Sequence, residues 1–327
     1  MKQFSSYFKY FSDSDDVING IFQNNKIRFT QPWGMNDPLE FNPSLKFSPN
    51  VNPYQYYELD GAVFPSIELF CRINIIEAQI NSYGILSLTK KPLSFDMWSK
   101  YANGHKGFLL EFRSDFSKHP CMKSKDGEEY KIKKVEYVKN YFLEVENILD
   151  ENNIPSLDKL KDELFFKKLD RWKDEEEYRL VRELADTSSY SQLDDKSYRD
   201  SNVYLFDFSL ECINSITFGA CMSIKNKKKI MEQITDYKIE LFQSYIIRNP
   251  SEKPEDFDVV KIVNIRNNFS LDELYSLQPQ IFIVDNDDDF VNKRNINIKD
   301  IKDLPYYKGN EVRMDELYDD LLRHKNK

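Results

Sequence analysis

Four consecutive acidic residues, Asp174 to Glu177, end directly at a run with the pattern of a buried strand, Tyr-Arg-Leu-Val. Successive side chains of a strand point to opposite faces, so we expect Glu175 and Glu177 to point one way and Glu176 the other. A carboxylate held by a strand can stabilise a cation that forms during a reaction. We therefore predict Glu177 as the first candidate catalytic residue and Glu175 as the second. The alternative is that Glu175 to Glu177 form a solvated loop in which Glu177 pairs with Arg179 or Lys173.

A second group of candidates lies in "LSFDMWSKYANGHKG". A helix over its first part places Trp98 and Tyr101 on one face, because residues three apart are neighbours there. That face could stack on a planar ligand, although core packing is the preferred explanation for Trp98. His105 falls in a tight turn before a strand, where it could donate to a substrate oxygen or cap the turn. Tyr101 and His105 complete the set of candidate catalytic residues.

The loop "QPWGMNDPLEFNP" supplies two further polar candidates, Asn36 and Asp37. Asx–Pro pairs commonly form turns, which explains both residues unless the loop borders a ligand site. We expect this loop, the M-W-S-K-Y helix and the E-E-E-Y-R strand to meet in one pocket.

Composition excludes several classes of function. The chain has 327 residues but only 9 glycines, and neither a dinucleotide-binding nor a P-loop glycine motif is present. A net charge of −9 disfavours broad binding to nucleic acid. Four dispersed cysteines and three histidines predict no structural zinc site, and "DNDDDF" lacks the Gly and Glu of a calcium loop. No apolar run approaches the ~18 residues of a membrane span, so we expect a cytoplasmic protein.

The periodic segments predict an α+β fold with a mixed, mostly antiparallel sheet of six or more strands, flanked by helices. We assign residues 1–250 to an α+β core domain. Residues 251–327 follow the linker-like "NPSEKPEDFD" and form a C-terminal extension, with a strand at "QIFIVD" and an amphipathic helix at "EVRMDELYDDLLRH". The extension could bind a partner protein. The stretch "DTSSYSQLDDKSYRDS" is predicted to be a polar loop.

The motifs carry a family resemblance when taken in order. N-D-P-[LF]-E is followed by M-W-x-x-Y-x-x-x-H-x-G-[FV]-x-x-E-[FY], then by W-x-x-E-x-E-Y-R and a late I-x-F-G. This order resembles a bacterial family catalogued as domain of unknown function twenty-nine seventy-one, over roughly residues 5–250. The family label implies no activity.

The layout is also similar to the ADP-ribosyltransferase fold, by analogy of element order and residue type. In that fold a helix between two strands presents a small polar residue and an aromatic ring to nicotinamide, positions matched here by Ser99 and Tyr101. A Glu at the start of a later strand holds the ribose, as Glu177 would. The resemblance implies that NAD is the substrate and that no metal is needed.

The same resemblance implies residues that contact NAD. The fold usually carries an Arg or His on its first strand, where this chain has Lys9 and Tyr10, and Arg28 on the second strand could take that role. The candidates for NAD binding are Tyr10, Arg28, Asn36, Asp37, Trp98, Ser99 and Arg179.

Three functions remain open at this point. The favoured one is an NAD-dependent ADP-ribosyltransferase or NAD glycohydrolase, acting as a bacterial toxin or anti-phage effector with a protein or nucleic-acid acceptor. The second is a non-enzymatic module of a defence system that binds a ligand or a protein. The third is a metal-dependent nuclease using Asp37, Glu111 and Glu177, which the scarcity of basic patches disfavours.

Overall fold

The computed structural model describes residues 6–37, 39–59, 61–77, 80–148, 157–185, 191–195, 201–248, 257–263, 282–283 and 311–313. Its α-helices are α1 Asp15–Ile18, α2 Ile67–Phe70, α3 Phe95–Tyr101, α4 Leu157–Phe165 and α5 Ile224–Gln233. Two π-helical turns, Asn19–Gln23 and Cys71–Glu77, continue α1 and α2. Among the described residues, no helix has the length and apolar character needed to cross a membrane.

The strands in chain order are β1 Tyr7–Phe11, β2 Lys26–Arg28, β3 Ser44–Lys46, β4 Tyr57–Leu59, β5 Ala62–Phe64, β6 Tyr83–Thr89, β7 Phe108–Phe112, β8 Ile132–Lys134, β9 Glu136–Val138, β10 Phe142–Glu144, β11 Lys167–Leu169, β12 Glu177–Glu183, β13 Ser191–Asp195, β14 Ser201–Asp207, β15 Ile213–Phe218, β16 Glu240–Arg248, β17 Phe257–Val263, β18 Phe282–Ile283 and β19 Glu311–Arg313. Short 3-10 turns join several of them, at Pro32–Gly34, Phe116–Lys118, Pro120–Met122, Val145–Ile148, Asp170–Glu175 and Leu210–Cys212. The pairing is mixed and mostly antiparallel, with flanking helices, so the predicted α+β class is confirmed.

The chain forms two compact units. The first contains Met1–Lys26, Lys90–Phe116 and Phe208–Lys327, and the second contains Ile27–Thr89 and Ser117–Asp207.

In the first unit, β7 pairs antiparallel with β1 and with β15, and β16 runs parallel to β15. Helix α3 begins where the Ser94 hydroxyl accepts a hydrogen bond from the Met97 N–H, an ordinary N-cap. Its inner face packs into an apolar cluster with residues of β1 and β7. The strand and helix predicted around M-W-S-K-Y are therefore present.

In the second unit, β12 is the central strand and pairs antiparallel with β6 and β8. Parallel pairs join β3 to β10 and β9 to β11. An apolar cluster packs on this unit, with α4 contributing Leu160, Leu164 and Phe165. The sheet thus fixes the direction of β12, whose first residue is Glu177.

Two predicted elements differ from the structure. Part of the predicted polar loop is the strand β13, which pairs antiparallel with β14, so backbone pairing outweighs the polar composition there. The segment predicted to begin a C-terminal helix opens with β19, which runs parallel to β17. The remainder of that helix, and "DNDDDF", lie outside the described residues.

The predicted boundary at residue 250 is crossed by strand pairing. Strand β17 lies beyond it and pairs antiparallel with β16 over seven residue pairs, from Phe242↔Val263 to Arg248↔Phe257. The first compact unit accordingly continues past this boundary.

Candidate functional site

The acidic run and the N-D-P loop supply a buried group of five charged side chains in the second unit. We call Glu40, Lys168, Glu175, Glu177 and Arg179 the charge cluster. All five have less than a tenth of their surface exposed. Charges in a protein interior are costly unless they are paired, so their mutual contacts decide what the cluster can do.

The local backbone explains why Glu175 and Glu177 point the same way. Asp170–Glu175 is a 3-10 turn, Glu176 has the left-handed φ of 44°, and β12 begins at Glu177. The Thr89 hydroxyl donates to the Glu175 carbonyl at 2.6 Å, and the Glu177 N–H donates to the Tyr137 hydroxyl at 2.8 Å. Both carboxylates therefore face the same side, as predicted. The left-handed backbone of Glu176 between them produces this orientation, and strand alternation alone does not.

Arg179 is the centre of the cluster and has no exposed surface. Its Nε and Nη2 donate to the two carboxylate oxygens of Glu177 at 2.8 and 3.0 Å, a bidentate pair. Its Nη2 also donates to Glu40, and its Nη1 donates to the Phe165 carbonyl at 2.7 Å. The guanidinium thus holds two carboxylates from distant parts of the chain.

Lys168 completes the cluster from β11. Its ammonium donates to Glu175 and to Glu177, each at 2.9 Å, and lies 3.8 Å from a Glu40 oxygen. It also lies 5.0 Å from the ring centroid of Trp172, a cation–π distance. Every carboxylate of the cluster therefore contacts at least one cation.

The cluster contains three carboxylates and two cations, so it carries one surplus negative charge when all five groups are ionised. Burial would raise the pKa of Glu177, but the charges of Arg179 and Lys168 outweigh it and hold that pKa at about 2. Burial raises the pKa of Glu40 above its usual range, although the same two cations oppose it. The two pKa shifts therefore keep Glu177 ionised and favour retention of a proton on Glu40.

The N-D-P loop joins this region through Asp37. Its carboxylate accepts from the Leu39 N–H at 3.0 Å, which is the turn role that Asx–Pro predicts. It also accepts from Arg171 at 2.8 Å and from the Trp172 indole N–H at 2.7 Å. Two of the three stretches predicted to share a pocket, N-D-P-L-E and R-W-K-D-E-E-E-Y-R, therefore meet in one unit.

Trp172→Phe should lower the free energy of unfolding by about 1–2 kcal/mol, because it leaves one oxygen of the buried Asp37 carboxylate without that donor. Urea denaturation followed by fluorescence measures the change. Trp33→Phe, at a half-buried tryptophan in the loop that carries Asp37, is the matched control. If Trp172→Phe lowers the free energy of unfolding no more than Trp33→Phe does, the indole hydrogen bond does not stabilise the protein.

Tyr10 and Trp98, both predicted to contact NAD, lie in the core of the first unit. The Tyr10 hydroxyl donates to the Lys91 carbonyl at 2.6 Å, and burial raises the tyrosine's pKa strongly. Trp98 has no exposed surface, its indole N–H donates to the Pro92 carbonyl at 3.0 Å, and its ring meets Tyr10 edge-on at 5.2 Å. These contacts explain both residues by core packing, so neither ring offers a free face for stacking.

The other candidates of the first unit differ in exposure. Ser99 is exposed on α3, and Tyr101 is half-buried at its end. His105 has the left-handed φ of 64°, is 4% exposed and contacts Phe95, with ring centroids 4.7 Å apart and ring planes tilted by 45°. Its imidazole does not cap the turn, since neither ring nitrogen has a hydrogen-bond partner in the described part of the chain.

Arg28 and Asn36 belong to the second unit, where Arg28 is half-buried on β2 and Asn36 is exposed. Glu111 lies in the first unit and accepts from the Ser215 hydroxyl at 2.6 Å. That the candidates of the first unit share a pocket with Glu177 stays a prediction.

Glu40 and Lys168 are the members of the cluster that the sequence did not single out. Glu40 closes the N-D-P-L-E motif, so its position in that motif was an available signal. Lys168 stands in "LFFKKLD" between apolar residues, and a strand there buries one of its two lysines. Strand periodicity could have identified one of the two lysines as inward-facing. It could not have identified the carboxylates that this lysine binds.

A family model described as "Protein of unknown function (DUF2971)" matches residues 97–180. The match contains most of α3, His105 and the start of β12, and it confirms the resemblance over that stretch. No curated protein matches the chain, and no solved structure matches it.

Proposed function

We propose that the chain is an NAD-cleaving enzyme with an ADP-ribosyltransferase-like fold, acting as an NAD glycohydrolase or ADP-ribosyltransferase. The observation that supports the proposal is a pair of carboxylates, Glu40 and Glu177, that share one guanidinium and have pKa values displaced in opposite directions. Two carboxyl groups with separated pKa values are a common basis for cleaving glycosidic bonds. The nicotinamide–ribose bond is an N-glycosidic bond of this kind.

Each carboxylate has a role in such a reaction. As the bond breaks, its electron pair leaves with nicotinamide, and positive charge develops on the ribose. The permanently ionised Glu177 stabilises that charge, while Glu175 on the same ammonium adds to the negative field. Water or an acceptor group then bonds to the ribose carbon, and its proton passes to Glu40.

The surplus negative charge of the cluster also favours this reaction. When all five groups are ionised they sum to −1, and the positive charge that shifts from the nicotinamide ring onto the ribose as the bond breaks is stabilised by that negative charge in the transition state. In this proposal NAD is the substrate, the acceptor is water, a protein or a nucleic acid, and the setting is a bacterial cytoplasm, as toxin or anti-phage effector.

A second function is favoured by a different observation. Each member of the charge cluster contacts at least one oppositely charged member, and removing one partner from such a buried network strongly destabilises a fold. In that case the chain is a non-enzymatic module that binds a ligand or a protein.

Nicotinamide release from NAD by the purified chain distinguishes the two functions. We expect time-dependent release of nicotinamide, with ADP-ribose as the other product in the absence of an acceptor. Candidate protein and nucleic-acid acceptors are added in parallel reactions, and incorporation of labelled ADP-ribose identifies a transferase. A folded protein that leaves NAD intact under all these conditions would favour the binding module.

A further inference from the structure

Three buried residues of the first unit contact or follow one turn and carry side-chain atoms without hydrogen-bond partners in the described chain. They are His105, Lys227 and Gln243, and the turn is Gly219–Ser223. We call it the 219–223 turn. Unsatisfied buried polar groups are rare and costly, so their occurrence around one turn points to a ligand.

The turn is held against the loop that carries His105. The Gly219 N–H donates to the Gly107 carbonyl and the Cys221 N–H to the His105 carbonyl, each at 2.8 Å. A Cβ at Gly219 would lie 2.3 Å from the His105 carbonyl oxygen, so only glycine permits this approach. Backbone contact therefore fixes His105 beside the turn.

Gln243 holds the other side of the turn. Its amide nitrogen donates to the Gly219 carbonyl at 3.1 Å and to the Ser244 carbonyl at 2.8 Å. Its amide oxygen is buried and has no donor among the described residues. The turn is thus bordered by one unused acceptor, the amide oxygen of Gln243.

Lys227 supplies a positive charge from helix α5. It is 1% exposed and faces inward with Ile224 and Ile230, and its ammonium lacks a hydrogen-bond partner among the described residues. Helical side chains point back toward the N-terminus of the helix, so Lys227, four residues after the Ser223 cap, directs its side chain toward the start of α5. Burial raises the pKa of the Cys221 thiol, and the charges of Lys106 and Lys227 oppose that rise, which agrees with this direction.

The start of α5 adds to this positive charge. The first N–H groups of a helix point outward and carry partial positive charge, which favours anions. The first turn of α5 itself contains no acidic residue, and among the described residues the carboxylate that contacts this turn is that of Asp13, which accepts from the Asn226 side chain at 3.2 Å. Burial lowers the pKa of Lys227 to about 8, as expected for an ammonium without a counter-ion.

We infer that the 219–223 turn binds a small anionic group, a phosphate or carboxylate, through the ammonium of Lys227 and the N–H groups at the start of α5. An anion there supplies the counter-ion that the buried lysine lacks. The neighbouring acceptor of Gln243 suits a ligand that also carries a hydroxyl or amine. This inference is independent of NAD cleavage.

Thermal unfolding in inorganic phosphate tests the inference, with sodium chloride at equal ionic strength as reference. At phosphate concentrations far above the dissociation constant, we expect the wild-type Tm to rise by about 3–6 °C. Acetate and adenosine monophosphate are tested in parallel. A larger shift with the nucleotide at equal concentration would indicate a nucleotide phosphate as the source, and an equal shift would indicate free phosphate.

Lys227→Met should abolish the phosphate shift, whereas Lys225→Met, at an exposed lysine of the same helix, should keep it. The ligand-free Tm of Lys227→Met should equal or exceed that of wild type, because an unpaired buried ammonium is replaced by an apolar side chain. A phosphate shift that persists in Lys227→Met, or a wild-type shift no larger than that in chloride, would overturn the inference.

A measurement on the wild-type protein serves if Lys227→Met does not fold. Hydrogen exchange of the backbone N–H groups is compared with and without phosphate by mass spectrometry. Phosphate should slow exchange several-fold in peptides that contain the start of α5 and leave peptides of α3 unchanged. Equal exchange at the start of α5 with and without phosphate would show that no anion binds at the turn.

Discussion

Arg179→Met is expected to lower the free energy of unfolding by about 3–5 kcal/mol, the range for breaking a buried ion pair by removing one partner. The guanidinium is fully buried and binds Glu40 and Glu177. Its removal leaves three carboxylates facing the single charge of Lys168. Methionine fills a similar volume, so the loss comes from the charge and not from a cavity.

Urea denaturation of purified variants measures this loss. Arg171→Met is the matched control, because it removes an arginine–aspartate pair whose arginine is 52% exposed, and we expect it to cost less than about 1 kcal/mol. Arg179→Lys keeps the charge and loses the bidentate geometry, so its loss should fall between the two. If Arg179→Met lowers the free energy of unfolding no more than Arg171→Met does, the charge cluster is not a buried ion-pair network.

Local sequence patterns were sufficient to predict the elements that carry the site. A strand beginning at Glu177, a helix over the M-W-S-K-Y stretch and an Asx turn at Asp37 each depend on neighbouring residues, and each is present. The same holds for the α+β class. The preference for core packing at Trp98 followed from helical spacing, and the burial of that ring agrees with it.

The Glu177–Arg179 pair was among the alternatives that the sequence offered, but the other contacts of the cluster could not be predicted in this way. Glu40 and Arg179 are 139 residues apart, and their contact depends on how β12 and the N-D-P loop fold together. Nothing in "LFFKKLD" tells which carboxylates Lys168 will bind. The reversed backbone at Glu176, which aligns Glu175 with Glu177, likewise has no clear signal in a run of three glutamates.

This pairing changes what neutralising Glu177 should do to stability. As an unpaired carboxylate it could be replaced by glutamine with almost no change in Tm. In the cluster, Glu177→Gln loses charge-assisted hydrogen bonds with Arg179 and Lys168, at a cost of about 1–3 kcal/mol. It nevertheless leaves two carboxylates facing two cations, so it should destabilise the protein less than Arg179→Met.

If NAD cleavage is the activity, Glu177→Gln should reduce nicotinamide release by about 100-fold or more, because the fixed negative charge beside the developing cation is lost. The assay is run well below the unfolding midpoint of the variant, so that loss of folded protein cannot mimic loss of chemistry. Glu176→Gln should remain close to wild type in rate and stability, since Glu176 lies outside the cluster.

Glu177→Asp separates the charge from its position. Aspartate keeps the negative charge but withdraws it by one methylene, and small misplacements of a catalytic group cost large factors in rate. Its rate should therefore fall well below that of wild type, while its stability exceeds that of Glu177→Gln because the cations keep a charged partner. If a folded Glu177→Gln releases nicotinamide at the wild-type rate, Glu177 serves the fold alone. If both variants lose rate only in proportion to unfolding, Glu177 is structural and another group performs the cleavage.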